Sequence, residues 1–247
     1  MKILTLDIET APALADVWSL WNVNVGLSQL RQVSTVICFA AKWHGDRRVR
    51  FHSDFHDGHS EMVQAAHALI GEADVVVHYN GAKFDMPHLR REFLLADLAP
   101  HKPVQEVDLL KVAKGRFRFQ SNKLDHVAQQ LGIGSKVKHS GHELWVRCMA
   151  GDERAWRKMA AYNRADVRLT EALYDRLKPW IHNHPHAALY GELDPMTCSL
   201  PGCGGRLQKR GFKATALSTY QQYQCTACGA WSRGKTAINR VDERGTA

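Results

Sequence analysis

The chain opens on an apolar run that ends in acids. KILTLDIE (residues 2–9) alternates aliphatic and β-branched positions and closes on two carboxylates, the pattern of a first strand. VSTVICFAAKW (33–43) and RRVRFHS (47–53) predict two further strands. From Glu61 to Glu72, Met62, Ala65 or Ala66 and Leu69 fall on one helical face. DVVVHYN (74–80) predicts a short buried strand, followed by the turn-forming pair Asn80-Gly81. Met86, Leu89, Phe93 and Leu94 carry a helical period to about Leu98, and VQEVDLL (104–110) predicts a strand leading into a helix. LDHVAQQL (124–131) reads as a helix stopped by Gly132, and Asp152–Trp180 as one long helix with Pro179 near its end. Strands first, then helices and strands in alternation, imply an α/β fold with a mixed sheet.

After Pro185–Pro195, which reads as a linker, the character changes: Gly, Thr, Ser and Gln rise and acids vanish. The expected organisation is a first domain over 1–184, a linker over 185–195, a small second domain over 196–235 and a tail over 236–247. Net charge sharpens that division. Of the +8 carried by 247 residues, +6 comes from the stretch 196–235, which holds six cations and no acid. A patch that dense suggests a polyanion partner, although a solvated, solubilising surface would look the same. At 45% hydrophobic and 23% charged, the composition excludes a disordered tail, a collagen-like repeat and a coiled-coil rod. The longest unbroken apolar stretch is Val36–Ala41, too short to span a bilayer. Acids at positions 7 and 9 leave no apolar signal-peptide core, so a cytoplasmic protein with no membrane partner is expected.

Asp7 and Glu9 stand two apart on a strand and therefore on one face. Paired carboxylates repel unless a cation lies between them, and hard divalent ions are the usual answer. A surface strand could carry the same pair. Two more acidic contexts favour a site: NGAKFD, which places Asp85 after a buried strand and turn at the head of a helix, and YNRAD, which stacks Tyr162 and Asp166 at i and i+4.

LDIET, HYNGAKFDMP and YNRADVRLT together resemble the three motifs of the DEDD (DnaQ-like) exonuclease superfamily, whose fold is ribonuclease H-like. The resemblance covers roughly residues 1–180 and is nearest in flavour to the proofreading exonuclease of family B DNA polymerases. A tyrosine four before the last aspartate, with Ala161 where a histidine would stand, resembles the tyrosine (DEDDy) branch. There is no room for a polymerase domain, so the chain is similar to stand-alone versions, many of them phage-encoded; for those the host cytoplasm is the expected location. The resemblance implies a ribonuclease H-like sheet flanked by helices and a 3′–5′ exonuclease releasing nucleoside 5′-monophosphates, with single-stranded DNA preferred and RNA possible. Asp7, Glu9, Asp85 and Asp166 would hold two Mg²⁺ or Mn²⁺ ions, and Tyr162 would orient the attacking water. Asn80 either touches the nucleic acid backbone or caps the turn, and Phe84 is expected mostly in the core. Asp108 could lie near the site, whereas Asp125 reads as a cap or a surface residue. Trp18 and Trp21, in the long connection 11–32, either stack on terminal bases or close the core edge, the second reading being favoured. Lys111, Lys114, Arg116, Arg118, Lys136 and Lys138 could grip phosphates or simply face solvent.

Cys198-x4-Cys203, then 21 residues, then Cys225-x2-Cys228 resembles a zinc ribbon. Four thiolates suit a closed tetrahedral structural Zn²⁺, and about forty residues hold too little core to fold unaided. CGGRLQKRG and YQQYQCTACGAW read as strands around the cysteine knuckles. Arg210 and Lys213, with Phe212, Tyr220, Tyr223 and Trp231, suggest nucleic-acid capture; docking of a replication or repair protein is the competing use. Cys38 and Cys148 read as buried, inert thiols. Two other functions remain open on sequence alone: a non-catalytic adaptor working through the ribbon, and a structure-specific endonuclease.

Overall fold

A computed structural model describes residues 1–191, 194 and 196–243. Of the expected linker and tail, Glu192, Leu193, Pro195 and residues 244–247 lie outside the described residues. The chain divides into two compact units, Lys2–Asp175 and the residues from Arg176 onward.

In the first unit β1 (Ile3–Thr10) is followed by β2 (Leu14–Ala15), β3 (Leu30–Gln32), β4 (Val36–Trp43) and β5 (Arg50–Ser53). Helices α1 (Asp54–Asp57) and α2 (His59–Glu72) lead to β6 (Val75–His78), α3 (Asp85–Leu95) and β7 (Gln105–Asp108). Then come α4 (Leu109–Arg116), α5 (Leu124–Gln130), α6 (His142–Met149) and α7 (Glu153–Leu177). The main sheet has the order β5-β4-β1-β6-β7, with β1 antiparallel to β4 and parallel to β6. This is the mixed α/β sheet flanked by helices that the strand and helix patterns imply.

Period-two alternation in β1 decides which side chains reach the site. Leu4, Leu6 and Ile8 are buried in a core with Met62, Val63, Ala66 and Ile70 of α2 and Met86, Leu89 and Phe93 of α3. Asp7 and Glu9 consequently face the other side. A register shift after Glu9 ends the regular pairing with β4, so the strand breaks step where its carboxylates finish. Helix α7 buries Trp156, Met159, Tyr162, Asn163, Asp166, Val167, Thr170 and Leu173, a stripe at helical spacing that includes three polar residues. That polar break in an apolar stripe meets the face of β1 that carries Asp7.

Four departures from the sequence pattern have local causes. Trp18, Leu20, Trp21 and Leu27 do not close the core edge: they stand exposed on the arm that β2 and β3 form, with Trp18 99% accessible. Phe84 does not enter the core either, being 38% exposed and packed edge-on against His88. Helix α6 escapes a periodicity reading because it is only eight residues long and follows a Gly- and His-rich segment. The run 152–180 ends as α-helix at Leu177 and tightens into a 3₁₀ turn over Lys178–Trp180, as Pro179 requires.

The second unit holds β8 (Leu207–Ala214), β9 (Ser218–Cys225) and β10 (Trp231–Arg240), an antiparallel sheet of order β10-β9-β8. Strand β10 carries the sheet to Arg240, past the end at 235 expected from sequence; its Ser-Arg-Gly-Lys-Thr stretch has no apolar alternation to announce a strand. Segment 187–190 is tied to the cysteine region, Ala187 N–H donating to Ser199 O (2.8 Å). Cys198, Leu200, Leu207 and Cys225 form a small core, with Cys203, Tyr223, Cys228 and Ala230 packed against it. Among the described residues, no helix is long and apolar enough to cross a membrane.

Candidate active site and metal centre

Three elements bring the acids together. Asp7 and Glu9 come from β1 and Asp166 from α7, and one oxygen of each lies within 4.8 Å of the others. Asp85, at the head of α3, accepts a hydrogen bond from the Ile8 N–H (3.0 Å), the amide between the two β1 acids. Neighbours on β4 are small: Asp7 pairs with Ala40 and Glu9 with Cys38, which leaves the acids space. Asn163, one turn before Asp166, donates from Nδ2 to Asp7 Oδ2 (2.6 Å) and fixes that carboxylate.

Burial and mutual repulsion dominate the electrostatics. Asp7 is held well above the usual carboxylate range, by burial first and then by Asp85, Glu9 and Asp166. Glu9 is pushed up to about 8 by burial, with Lys136 opposing and Asp166 and Asp85 reinforcing. Asp85 rises to about 6, again through burial, with His78 and the Ile8 amide pulling the other way. Asp166 is also raised, and its buried Oδ1 has no hydrogen-bond partner. Crowded acids with an unpartnered buried oxygen make a donor set that fits a hard divalent cation.

Lys136 enters the site in a way its loop position does not announce. Its Nζ lies 2.6 Å from Asp166 Oδ2 and donates to the Tyr162 hydroxyl (3.0 Å). Asp125 holds it there, accepting from the Lys136 backbone N–H (2.7 Å) and from Gln129 Nε2 (2.8 Å). Asp125 is thus a clamp on the Lys136 loop rather than an isolated surface acid. Burial, Asp166 and Glu9 lift the Tyr162 phenol above its ordinary value, so it stays protonated. Its ring packs among Ile37, Leu144, Trp156 and Met159 and meets His139 edge-on at 4.7 Å. His139 lines two open clefts, one of about 390 Å³ shared with Lys138, Lys158 and Tyr162, the other of about 450 Å³ shared with Thr10, Ser34 and Trp145.

The turn carrying the second motif is built around His78. Gly81 N–H donates to His78 Nδ1 (3.0 Å), and the opposite nitrogen, Nε2, faces Glu106 (3.4 Å). A Cβ on Gly81 would fall 2.4 Å from His78 Cγ, so glycine is required. Asn80 has φ +70°, and its N–H donates to Asp108 Oδ1 (2.9 Å), which also caps α4 at Leu110 (3.0 Å). Asp108 therefore secures the turn from behind, and the visible part played by Asn80 is in its backbone. Of the remaining candidates, Trp18 stands on the exposed arm and Phe84 precedes Asp85, while Arg210 and Lys213 lie on β8 of the second unit.

In that unit the four cysteine sulfurs gather within 4.8 Å of one another. Cys198 and Cys228 Sγ are 3.7 Å apart, Cys203 and Cys225 Sγ 3.6 Å. A tetrahedron of thiolates at the usual Zn–S length of about 2.3 Å has edges of about 3.8 Å, so the set fits zinc. Burial pushes the Cys225 thiol up, but hydrogen bonds from the backbone amides at Cys228 and Ala227 and from the Cys228 and Cys203 side chains together bring it to about 7. Gly205 is obligatory here as well: a Cβ would lie 2.5 Å from Cys225 Sγ.

A family model described as the RNase_H superfamily matches residues 25–178. No curated protein matches the sequence. Among solved structures, the family B DNA polymerase of the hyperthermophilic archaeon Pyrobaculum calidifontis is similar over 72% of this chain, with TM-score 0.56 and 20% identity. The chain spans about a quarter (24%) of that polymerase's length.

Proposed function

The chain belongs to the RNase_H superfamily, and on that premise we propose that it is a metal-dependent 3′–5′ exonuclease of the DEDDy type, preferring single-stranded DNA, with a structural zinc in its C-terminal ribbon. The observation that carries the reading is the Asp7–Glu9–Asp166 cluster, with its unpartnered Asp166 oxygen and Tyr162 beside it. Direction and strand preference rest on the order and context of the three motifs. Asp7, Glu9, Asp85 and Asp166 would hold two Mg²⁺ or Mn²⁺ ions, supplying Lewis-acid stabilisation of the scissile phosphate and a more acidic water. Cys198, Cys203, Cys225 and Cys228 would hold the zinc, whose binding energy is coupled to folding of the ribbon.

The protein's own groups have distinct tasks. Hydrolysis forms a bond from water oxygen to phosphorus and breaks the P–O3′ bond, releasing a nucleoside 5′-monophosphate and a new 3′-hydroxyl. Tyr162, kept protonated, orients the water rather than taking its proton. Lys136 fixes the Tyr162 hydroxyl and Asp166 with one ammonium group. Asn163 does the same for Asp7.

A panel of 5′-labelled single- and double-stranded DNA and RNA, with and without Mn²⁺, tests the reading. Progressive shortening with mononucleotide release is expected, lost in Asp7→Ala. Intact substrates in the presence of bound metal would refute it, and cutting of circular single strands would assign an endonuclease instead.

A further inference from the structure

The ribbon sheet has two unlike faces, and the strand registers sort its side chains between them, because directly paired residues share a face. On one face Lys209 and Ser232 stand opposite Tyr223, and Phe212 opposite Gln221. Tyr223 packs against the cysteine core, so that face is partly consumed. On the other, Lys213 stands opposite Tyr220, Arg233 opposite Gln222 and Trp231 opposite Gln224. Arg210 joins them from the β8 bulge, donating to Gln208 Oε1 (3.2 Å). Trp231 is 55% exposed, and the Arg233 guanidinium sits over the Tyr220 ring, 4.0 Å from its centroid.

We propose that this face, presenting Arg210, Lys213, Tyr220, Gln222, Trp231 and Arg233, is a stacking platform for single-stranded nucleic acid. It deepens the nuclease reading, on which the choice of ligand partly rests. Charge complementarity selects the occupant: four cations stand on the face, Arg240 joining opposite Ser218, and no Asp or Glu occurs from 196 to 241. The ring planes select the strand state, since only unpaired bases offer a π-face for Trp231 or for the Arg233–Tyr220 pair. Gln222 adds amide donors and acceptors beside the rings. Phe212, Lys209 and Tyr223 take no part.

Fluorescence anisotropy of a 5′-labelled oligothymidylate tests the platform in the full-length chain, in an Asp7→Asn background that blocks hydrolysis. Trp231→Ala should weaken binding about tenfold or more, the usual loss for one stacked base, and Trp231→Phe should retain most of it. Phe212→Ala, on the opposite face, should stay within about twofold, and Arg233→Gln should lower the salt slope by about 0.7. Thermal unfolding of each variant, compared with the parent, separates lost contact from lost fold. Trp231→Ala binding like the parent would overturn the proposal, as would Phe212→Ala and Trp231→Ala weakening it equally. So would duplex DNA binding as tightly as the single strand with the same dependence on Trp231. Because binding is read without turnover, an inactive protein that binds through Trp231 refutes the nuclease reading alone.

Discussion

Metal affinity should rise steeply with pH, and the buried carboxylates set the slope. Glu9 at about 8 and Asp85 at about 6 both hold protons that a cation must displace. The sign follows from their direction: raised acids are protonated below their own values, so lowering pH strengthens the proton's hold and weakens the metal's. Between about pH 8 and about pH 6 the ionised fraction of Glu9 falls about fiftyfold and that of Asp85 about twofold. Together they give a loss of affinity on the order of a hundredfold. Asp7, raised as well, adds in the same direction. Calorimetric titration with Mn²⁺ in two buffers of different ionisation enthalpy measures both the constant and the protons released. At about pH 7, release of about one proton or more is expected, and Glu9→Gln should flatten the profile. An affinity constant to within threefold across that range, or binding without proton release, would show that the acids are ionised before metal arrives and that the repulsion argument fails.

Three further outcomes follow from the geometry. Gly81→Ala, with its Cβ driven into His78, should lose about 1–3 kcal/mol or more, lowering the melting temperature by several degrees, and should lose activity with it; an unshifted melting curve would mean that the turn yields freely. Tyr162→Phe keeps the buried ring and removes the hydroxyl, so kcat should fall about a hundredfold with KM little changed, as steady-state kinetics on a short labelled oligonucleotide would show. Gly205→Ala should expel zinc and expose the β8–β10 amides, read as metal content by mass spectrometry and as hydrogen exchange; zinc retained at one per chain would contradict the knuckle geometry.

What could be read from sequence was what depends on near neighbours. Apolar runs of four to eight residues located β1, β4 and β6, because a buried strand needs little beyond its own side chains to declare itself. Asp7 with Glu9 was visible as a one-face pair, and Tyr162 with Asp166 as an i, i+4 pair, since both spacings are local. Exposure was not visible: Trp18, Leu20 and Trp21 carry the composition of a core and sit in solvent on the arm, because burial depends on what the rest of the chain places opposite. Charge identified Lys136 only as one basic residue among several in a loop. Its place in the site depends on Asp125, eleven positions earlier, holding its backbone, and on Asp166, thirty positions later, meeting its ammonium group.

That arrangement bears on how four crowded acids are tolerated in a folded protein. Lys136 lowers the proton affinity of Glu9 and Asp166 and shares Asp166 with Tyr162. Glu9 nevertheless remains at about 8, because burial first, and then Asp166 and Asp85, outweigh that one ammonium. The residual repulsion is the part of the site's energy that a divalent ion, held there as proposed, would remove. Releasing the clamp with Asp125→Ala should therefore withdraw the Lys136 ammonium from Tyr162 and Asp166 while leaving all four acids in place. The expected signature is lower kcat with retained Mn²⁺ binding. Loss of both would mean that Asp125 supports the whole cleft rather than the Lys136 loop alone.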